Sequence, residues 1–298
     1  MKFLLLGADG QVGRSLRESL AGLGSVTAST RQGDHGDLAC DLGDAHALNE
    51  LLEATSPDVV VNAAAYTAVD RAESDRETAY AINAALPARL ASWAAKTRAS
   101  VVHYSTDYVF DGTANRPYRE DDPTNPLGVY GSTKLEGERA IIASGCRHLI
   151  LRTAWVYGQD GHNFLKTMLR LAGERPALRV VDDQQGTPTC ALWIAQATAQ
   201  IMNRWSKGEQ GGIVHLTASG QTTWYGFARA LLAEAYARGL IPALPIVEPV
   251  PTTEYPTPAR RPAFSVLDGQ LAERRFDLHR PAWNETLSEL LARMAPQT

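Results

Sequence analysis

A chain of 298 residues with 44% hydrophobic and 21% charged side chains has the composition of a folded globular protein, which excludes a disordered or fibrous one. Its formal net charge of -4 provides no electrostatic footprint for nucleic acid or for an anionic membrane surface. Three scattered cysteines, Cys40, Cys146 and Cys190, form no C-x-x-C pair and fit a reducing, cytoplasmic setting.

The opening run Met1 to Leu6 is cut by Gly7 and Asp9 well short of a signal-peptide core, so it reads as a first strand. No apolar run approaches the roughly 20 residues that cross a bilayer, so no membrane partner is expected. Further strands are expected at Ser25 to Ser29, Asp58 to Asn62, Ser100 to Ser105 and His148 to Arg152. Helices are expected over Gln11 to Leu23, Asp44 to Thr55, Glu77 to Lys96 and Val129 to Ser144. Asp44 is placed as an N-cap, and Pro87 should perturb the third helix. This alternation predicts an α/β fold with a Rossmann-type doubly wound parallel sheet. After Arg152 the alternation weakens; Thr189 to Trp205 reads as one more helix over the sheet. The prolines from Pro242 to Pro262 exclude a long helix or a central strand there. The expected division is an NAD(P)-binding Rossmann domain from residues 1–155 plus about 189–216. A smaller, irregular α/β C-terminal substrate domain is expected from about 156–188 plus 217–298, covering the carboxyl ends of the strands.

Gly7-Ala8-Asp9-Gly10-Gln11-Val12-Gly13 follows a strand and opens a helix, where glycines let the backbone approach a pyrophosphate and the helix end offers free N–H donors. Where an Asp or Glu would hold the ribose of NAD, the chain has Thr30-Arg31-Gln32. Arg31 either pairs with the 2′-phosphate of NADP or is a solvated surface residue. The expected cofactor is NADPH, with use of NADH left open. Asp41 and Leu42 are placed to receive the adenine, and Ala63, Ala64, Ala65 and Tyr66 follow the third long strand with small side chains that leave room for a cofactor. Plain packing explains the three alanines equally well.

Tyr130 and Lys134 stand four apart on a predicted helix and so share one face. A phenol with a free pKa near 10 must be shifted by roughly three units to exchange protons near neutrality, and an adjacent ammonium has the right sign. Thr106, at the carboxyl end of the fourth long strand, is placed to hydrogen-bond a substrate carbonyl and orient it toward Tyr130; it could otherwise be a turn former. Loop, hydroxyl and Tyr-x-x-x-Lys in this chain order point to a nicotinamide-dependent oxidoreductase.

With these motifs, His103 to Phe110, Arg152-Thr153-Ala154-Trp155-Val156-Tyr157 and Tyr255 to Pro262, the sequence resembles the dTDP-4-dehydrorhamnose reductases of the extended short-chain dehydrogenase/reductase superfamily nearly end to end. The resemblance implies hydride transfer from NAD(P)H to the C4 ketone of dTDP-4-dehydro-L-rhamnose, with Tyr130 as proton donor and Lys134 also on the nicotinamide ribose. It implies Thr106, Asp107 and Tyr108 on the sugar and Trp155 as an apolar wall, although Trp155 could equally be a core aromatic. Arg260 or Arg261 would pair with the substrate diphosphate, since a guanidinium fork suits phosphate oxygens. Sugar-nucleotide dehydratases of the superfamily carry Glu at the place of Tyr108, so the chain reads as a simple reductase. Another nucleotide-sugar reductase or epimerase, or a non-catalytic nucleotide-binding regulator, is the alternative. Mg²⁺ enters by resemblance only: the chain has no metal-ligand spacing, and Ser15 and Leu192 stand where bridging acidic residues are expected. A dTDP-sugar is the expected small-molecule partner of a monomer or homodimer.

Overall fold

The chain begins as regular alternation: β1 (Lys2–Leu6), α1 (Gln11–Ala21), β2 (Ser25–Thr30), β3 (Leu38–Ala39), α2 (Ala45–Thr55) and β4 (Val59–Asn62). It continues through α3 (Val69–Ala72), α4 (Arg76–Tyr80), α5 (Leu86–Thr97), β5 (Ser100–Thr106), α6 (Val129–Ala143) and β6 (Arg147–Thr153). Then come β7 (Val156–Tyr157), α7 (Phe164–Glu174), β8 (Ala177–Val181), β9 (Gln185–Gly186), β10 (Thr189–Cys190) and α8 (Ala191–Ser206). The rest is β11 (Gly212–His215), β12 (Thr222–Thr223), α9 (Trp224–Ala237), β13 (Ile246–Val250), α10 (Gln270–Phe276) and α11 (Trp283–Met294). This computed structural model describes residues 1–295.

Seven strands form one sheet in the order β11-β6-β5-β4-β1-β2-β3, every neighbouring pair parallel. Such a sheet needs cover on both faces, which is why its strands are nearly continuous apolar runs. Because successive side chains point to opposite faces, Phe3 and Leu5 pack with Leu16 and Leu20 of α1 and Ile194 and Ile201 of α8. Leu4 and Leu6 meet Leu48 and Leu52 of α2 and Leu86 and Leu90 of α5 on the other side. The strand order reverses between β1 and β4, the switch point at which open α/β sheets bind ligands.

The five long strands lie within a residue of their expected limits, and Asp44 caps α2 by accepting from the N–H of His46 at 2.8 Å. The expected helix over Glu77 to Lys96 is divided. A π-turn at Ala81–Ala85 separates α4 from α5 because Pro87 has no N–H to return to the Asn83 carbonyl. That carbonyl faces Gly137 of α6 so closely that an added Cβ would lie 2.2 Å from it. Gly137→Ala is therefore expected to destabilise the fold by about 1–3 kcal/mol. Urea unfolding checks this; an unchanged midpoint would show that α5 and α6 separate freely.

A second hydrophobic core gathers Leu165 and Met168 of α7, Phe227 and Leu231 of α9, and Leu287 and Leu291 of α11. Beside it β13 pairs with β8 in a two-stranded parallel sheet, where Pro249 sits without interrupting a central ladder. The stretch 217–298 is not uniform: α10 turns back to α8 and β11, and Ala272 and Phe276 join the core of the large sheet. Residues 296–298 of that expected domain lie outside the described residues.

Candidate active site

Gly7 turns the chain out of β1 with φ +72, and a Cβ on it would meet the Ala64 nitrogen at 2.6 Å. Gly13 lets α1 pass the same loop, since a Cβ there would lie 2.1 Å from the Gly7 carbonyl oxygen. No side chain caps α1 at Gly10, so the N–H groups of its first turn, from Gln11 and Val12 onward, point free. A pyrophosphate fits that end by both hydrogen bonding and helix dipole.

A cavity of about 1520 Å³ starts at this loop. It runs from Arg31, Asp41 and Leu42 beyond β2, past Ala63, Ala64, Ala65 and Tyr66 after β4, to Tyr130 and Lys134 on α6. Three buried hydroxyls on its wall, Ser29, Ser105 and Thr153, have no hydrogen-bond partner within the protein. Unsatisfied buried donors are costly, so these groups fit a polar ligand threaded along the strand ends. Arg31 is exposed and makes no ion pair among the described residues, while nearby Asp37 is held by Arg17 of α1, whose Nη1 lies 2.7 Å from Oδ1. Asp41 uses one carboxylate oxygen to accept from the Gly43 N–H at 3.0 Å, leaving its other oxygen for a ligand. Asn163, which sequence reading missed, donates from Nδ2 to Gln11 Oε1 at 2.8 Å and so ties the loop before α7 to the phosphate loop. Its position just ahead of an amphipathic helix, whose N-cap it forms, was the available signal.

Tyr130 is half-buried, and desolvation pushes its phenol up to about 12; the Thr106 hydroxyl acts against this and the Asp107 carboxylate adds to it. Lys134 is 2% exposed, and burial pulls its amine down to about 8 against the raising influence of Glu138. Its Nζ donates to the Tyr104 carbonyl at 2.5 Å and lies 3.3 Å from His103 Nε2. The pair shares the cavity; the phenol is shifted by burial first, then by Thr106 and Asp107. Thr106 itself accepts from the Tyr108 N–H at 3.2 Å and donates to Asp107 at 3.1 Å, which fixes its hydroxyl at the strand end. Asp107 is 1% exposed, and burial raises its carboxyl to about 6.

Tyr108 meets the Tyr130 ring edge-on, centroids 5.7 Å apart. Trp155 takes the left-handed backbone with φ +47 and stacks face to face on Trp224 at 3.6 Å; Gly186 lies against the indole so closely that a Cβ would be 2.3 Å from it. A bulky residue in that region is strained, which is an observation that belongs to functional sites more often than to plain cores. Arg260 is exposed. Its neighbour Arg261 instead forms a two-pronged pair with Asp70, at 2.7 and 3.0 Å, and acts against the upward shift that burial gives the Tyr108 phenol. The 255–262 loop is thus fastened to α3 by Arg261. Among the described residues no group of three or more His, Cys, Asp or Glu is placed to hold a metal ion.

Sheet order and site together define an oxidoreductase of the extended short-chain dehydrogenase/reductase class. Residues 1–295 match the family described as RmlD substrate binding domain. The dTDP-4-dehydrorhamnose reductase of Salmonella typhimurium is 45% identical over 300 residues, covering 100% of this chain and 99% of that one. That of Burkholderia thailandensis is 46% identical, covering 95% of each. The crystal structure of dTDP-4-dehydrorhamnose reductase from Bacillus anthracis in complex with NADP has TM-score 0.87 and 30% identity, covering 98% of this chain and 99% of that one. The chain belongs to the dTDP-4-dehydrorhamnose reductase family.

Proposed function

We propose that this chain reduces the C4 ketone of dTDP-4-dehydro-L-rhamnose to the alcohol of dTDP-L-rhamnose, using NADPH. The observation that carries the reading is Thr106 at the end of β5 acting on the Tyr130 phenol of α6, beside a cavity whose phosphate loop has no side-chain cap. The reduced nicotinamide, when bound, supplies the hydride. Thr106 and Tyr130 hold the carbonyl oxygen between two hydroxyls, and the Tyr130 proton passes to that oxygen as it becomes an alcohol, leaving a phenolate to be reprotonated. Lys134 is placed to hold the nicotinamide ribose. Asp107 and Tyr108 follow Thr106 and would contact the sugar, Tyr108 supplying no second carboxylate of the kind a dehydratase needs. Trp155 is the apolar wall, and exposed Arg260 is the side chain available to a diphosphate. Residues 1–155 with about 189–216, joined by α10, would carry the cofactor; about 156–188 and the rest of 217–298 would carry the sugar nucleotide.

Absorbance at the reduced-nicotinamide band, with the keto-sugar nucleotide generated enzymatically from dTDP-glucose, tests the reading. Turnover supports it; tight NADPH binding with no turnover would instead make the chain a nucleotide-binding regulator. Arg31 supports the choice of NADPH, since it lines the cavity with no ion pair among the described residues while Arg17 neutralises Asp37. Arg31→Ala is expected to lower the NADPH-to-NADH ratio of kcat/KM by roughly tenfold, the size of one charge-assisted contact. An unchanged ratio would return Arg31 to the solvated surface.

A further inference from the structure

The segment that follows the cavity wall after β4 forms α3, with Glu73 as its C-cap. Asp70 and Glu73 stand three apart there, neighbours on the helical surface, yet they reach different parts of the molecule. Asp70 accepts from Arg261 at 2.7 and 3.0 Å and from the Ala259 N–H at 3.2 Å, so one carboxylate holds the 255–262 loop by three bonds. The Arg261 bond keeps that carboxyl below its ordinary value, against the effect of burial. Glu73 accepts at 2.8 Å from the N–H of Val129, the first residue of α6. Gly128, the N-cap of α6, brings no capping side chain, and a Cβ there would lie 2.6 Å from Glu73 Oε1. Glycine at 128 thus clears the space in which a carboxylate 56 positions away satisfies the end of the helix. Its negative charge also suits the positive end of the helix dipole. Tyr130 is the next residue.

We propose that Asp70 and Glu73 are positioning residues that set the substrate loop and the Tyr130 helix from one short segment. Asp70 holds the loop so that Arg260 stands where a diphosphate meets it. Glu73 fixes the first turn of α6, and with it the Tyr130 hydroxyl. Neither carboxylate touches a reacting atom. Because α3 packs on α6, loop and helix are both placed relative to the same element. For its kinetic readouts this rests on the reduction proposed above, whereas thymidine diphosphate binding and amide exchange need no turnover.

In the full-length protein, Glu73→Ala is expected to lower kcat by about tenfold or more, since a small displacement of a proton donor is costly. Glu73→Gln, whose amide oxygen still accepts from Val129, is expected to restore most of that rate. Glu73→Asp, one methylene shorter, is expected to fall between them, which keeps the point testable where the alanine variant does not fold. Asp70→Ala is expected to raise the KM of the keto-sugar nucleotide and the Kd of thymidine diphosphate by roughly tenfold, the size of one charge-assisted contact, with Asp70→Asn intermediate. Amide exchange followed by NMR is expected to show protection lost at Val129 and Tyr130 in Glu73→Ala and at Ala259 in Asp70→Ala, each variant leaving the other's segment protected. An unaltered protein without turnover would refute the proposed reaction, and diphosphate binding and exchange would then decide the roles of the two carboxylates by themselves. A purely structural role would scale kcat alike in the variants of both positions and loosen the whole fold. That pattern, or a Glu73→Ala kcat within about twofold of the unaltered protein, or unmoved thymidine diphosphate binding in Asp70→Ala, or unchanged protection at Val129 and Ala259, would overturn the proposal.

Discussion

Replacing Tyr130 with Phe is expected to lower kcat by about 10²–10⁴-fold, the contribution of a positioned proton donor. The change is narrow because only an oxygen is removed. The ring keeps its edge-on contact with Tyr108, centroids 5.7 Å apart, and the N-terminal end of α6 keeps its anchor, the Val129 N–H donated to Glu73 at 2.8 Å. In the proposed mechanism Thr106 would remain to polarise the carbonyl, which is why some rate should survive. NADPH binding and the urea midpoint should stay close to those of the unaltered protein. The comparison of kcat, cofactor binding and unfolding in one preparation checks this; near-normal kcat in the variant would remove Tyr130 from the reaction.

The largest effect on stability is expected at the Arg152–Glu138 pair. Both side chains are buried, 2% and 1% exposed, and meet through two bonds, Nε to Oε1 at 2.9 Å and Nη2 to Oε2 at 2.7 Å. Removing one partner strands a charge in a low-dielectric interior, so Arg152→Met alone should cost about 3–5 kcal/mol. Replacing both with apolar residues of like volume should recover most of that loss, because the desolvation penalty of both ions disappears together. The double-mutant cycle in urea measures the difference. A single variant within 1 kcal/mol of the unaltered protein would show that water reaches the pair.

The large sheet was legible because its strands are short apolar runs between helices of clear periodicity, and burial on both faces leaves little freedom in placing them. β3 and β11 were not read as strands, being a two-residue edge and a run that opens with Gly212. The second core was legible only as an irregular region. Its strands β7, β9, β10 and β12 are two residues each, too short to show a period, and its helices are brought together from distant segments. Within the site, the phosphate loop and Tyr130 were readable because their chemistry is local in sequence. The contacts of His103 were not, although it lies in the segment that carries Thr106: they depend on Asn62 standing opposite it in the β4–β5 register and on Lys134 of α6. The structural pairing of Arg261 was not legible because nothing in the sequence announces Asp70, 191 positions away.

The stacked indoles of Trp155 and Trp224 belong to different neighbourhoods, one leaving the large sheet and the other starting α9 among the side chains of the second core. If Trp155 forms the sugar wall proposed above, the shape of that wall is adjustable from a distance. A change of volume along the buried face of α9 would tilt Trp224 and carry Trp155 with it, while Thr106 and Tyr130 stay anchored to β5 and α6. On that proposal, discrimination among sugars would be tuned from a helix that contributes no reacting atom, without disturbing Thr106 and Tyr130.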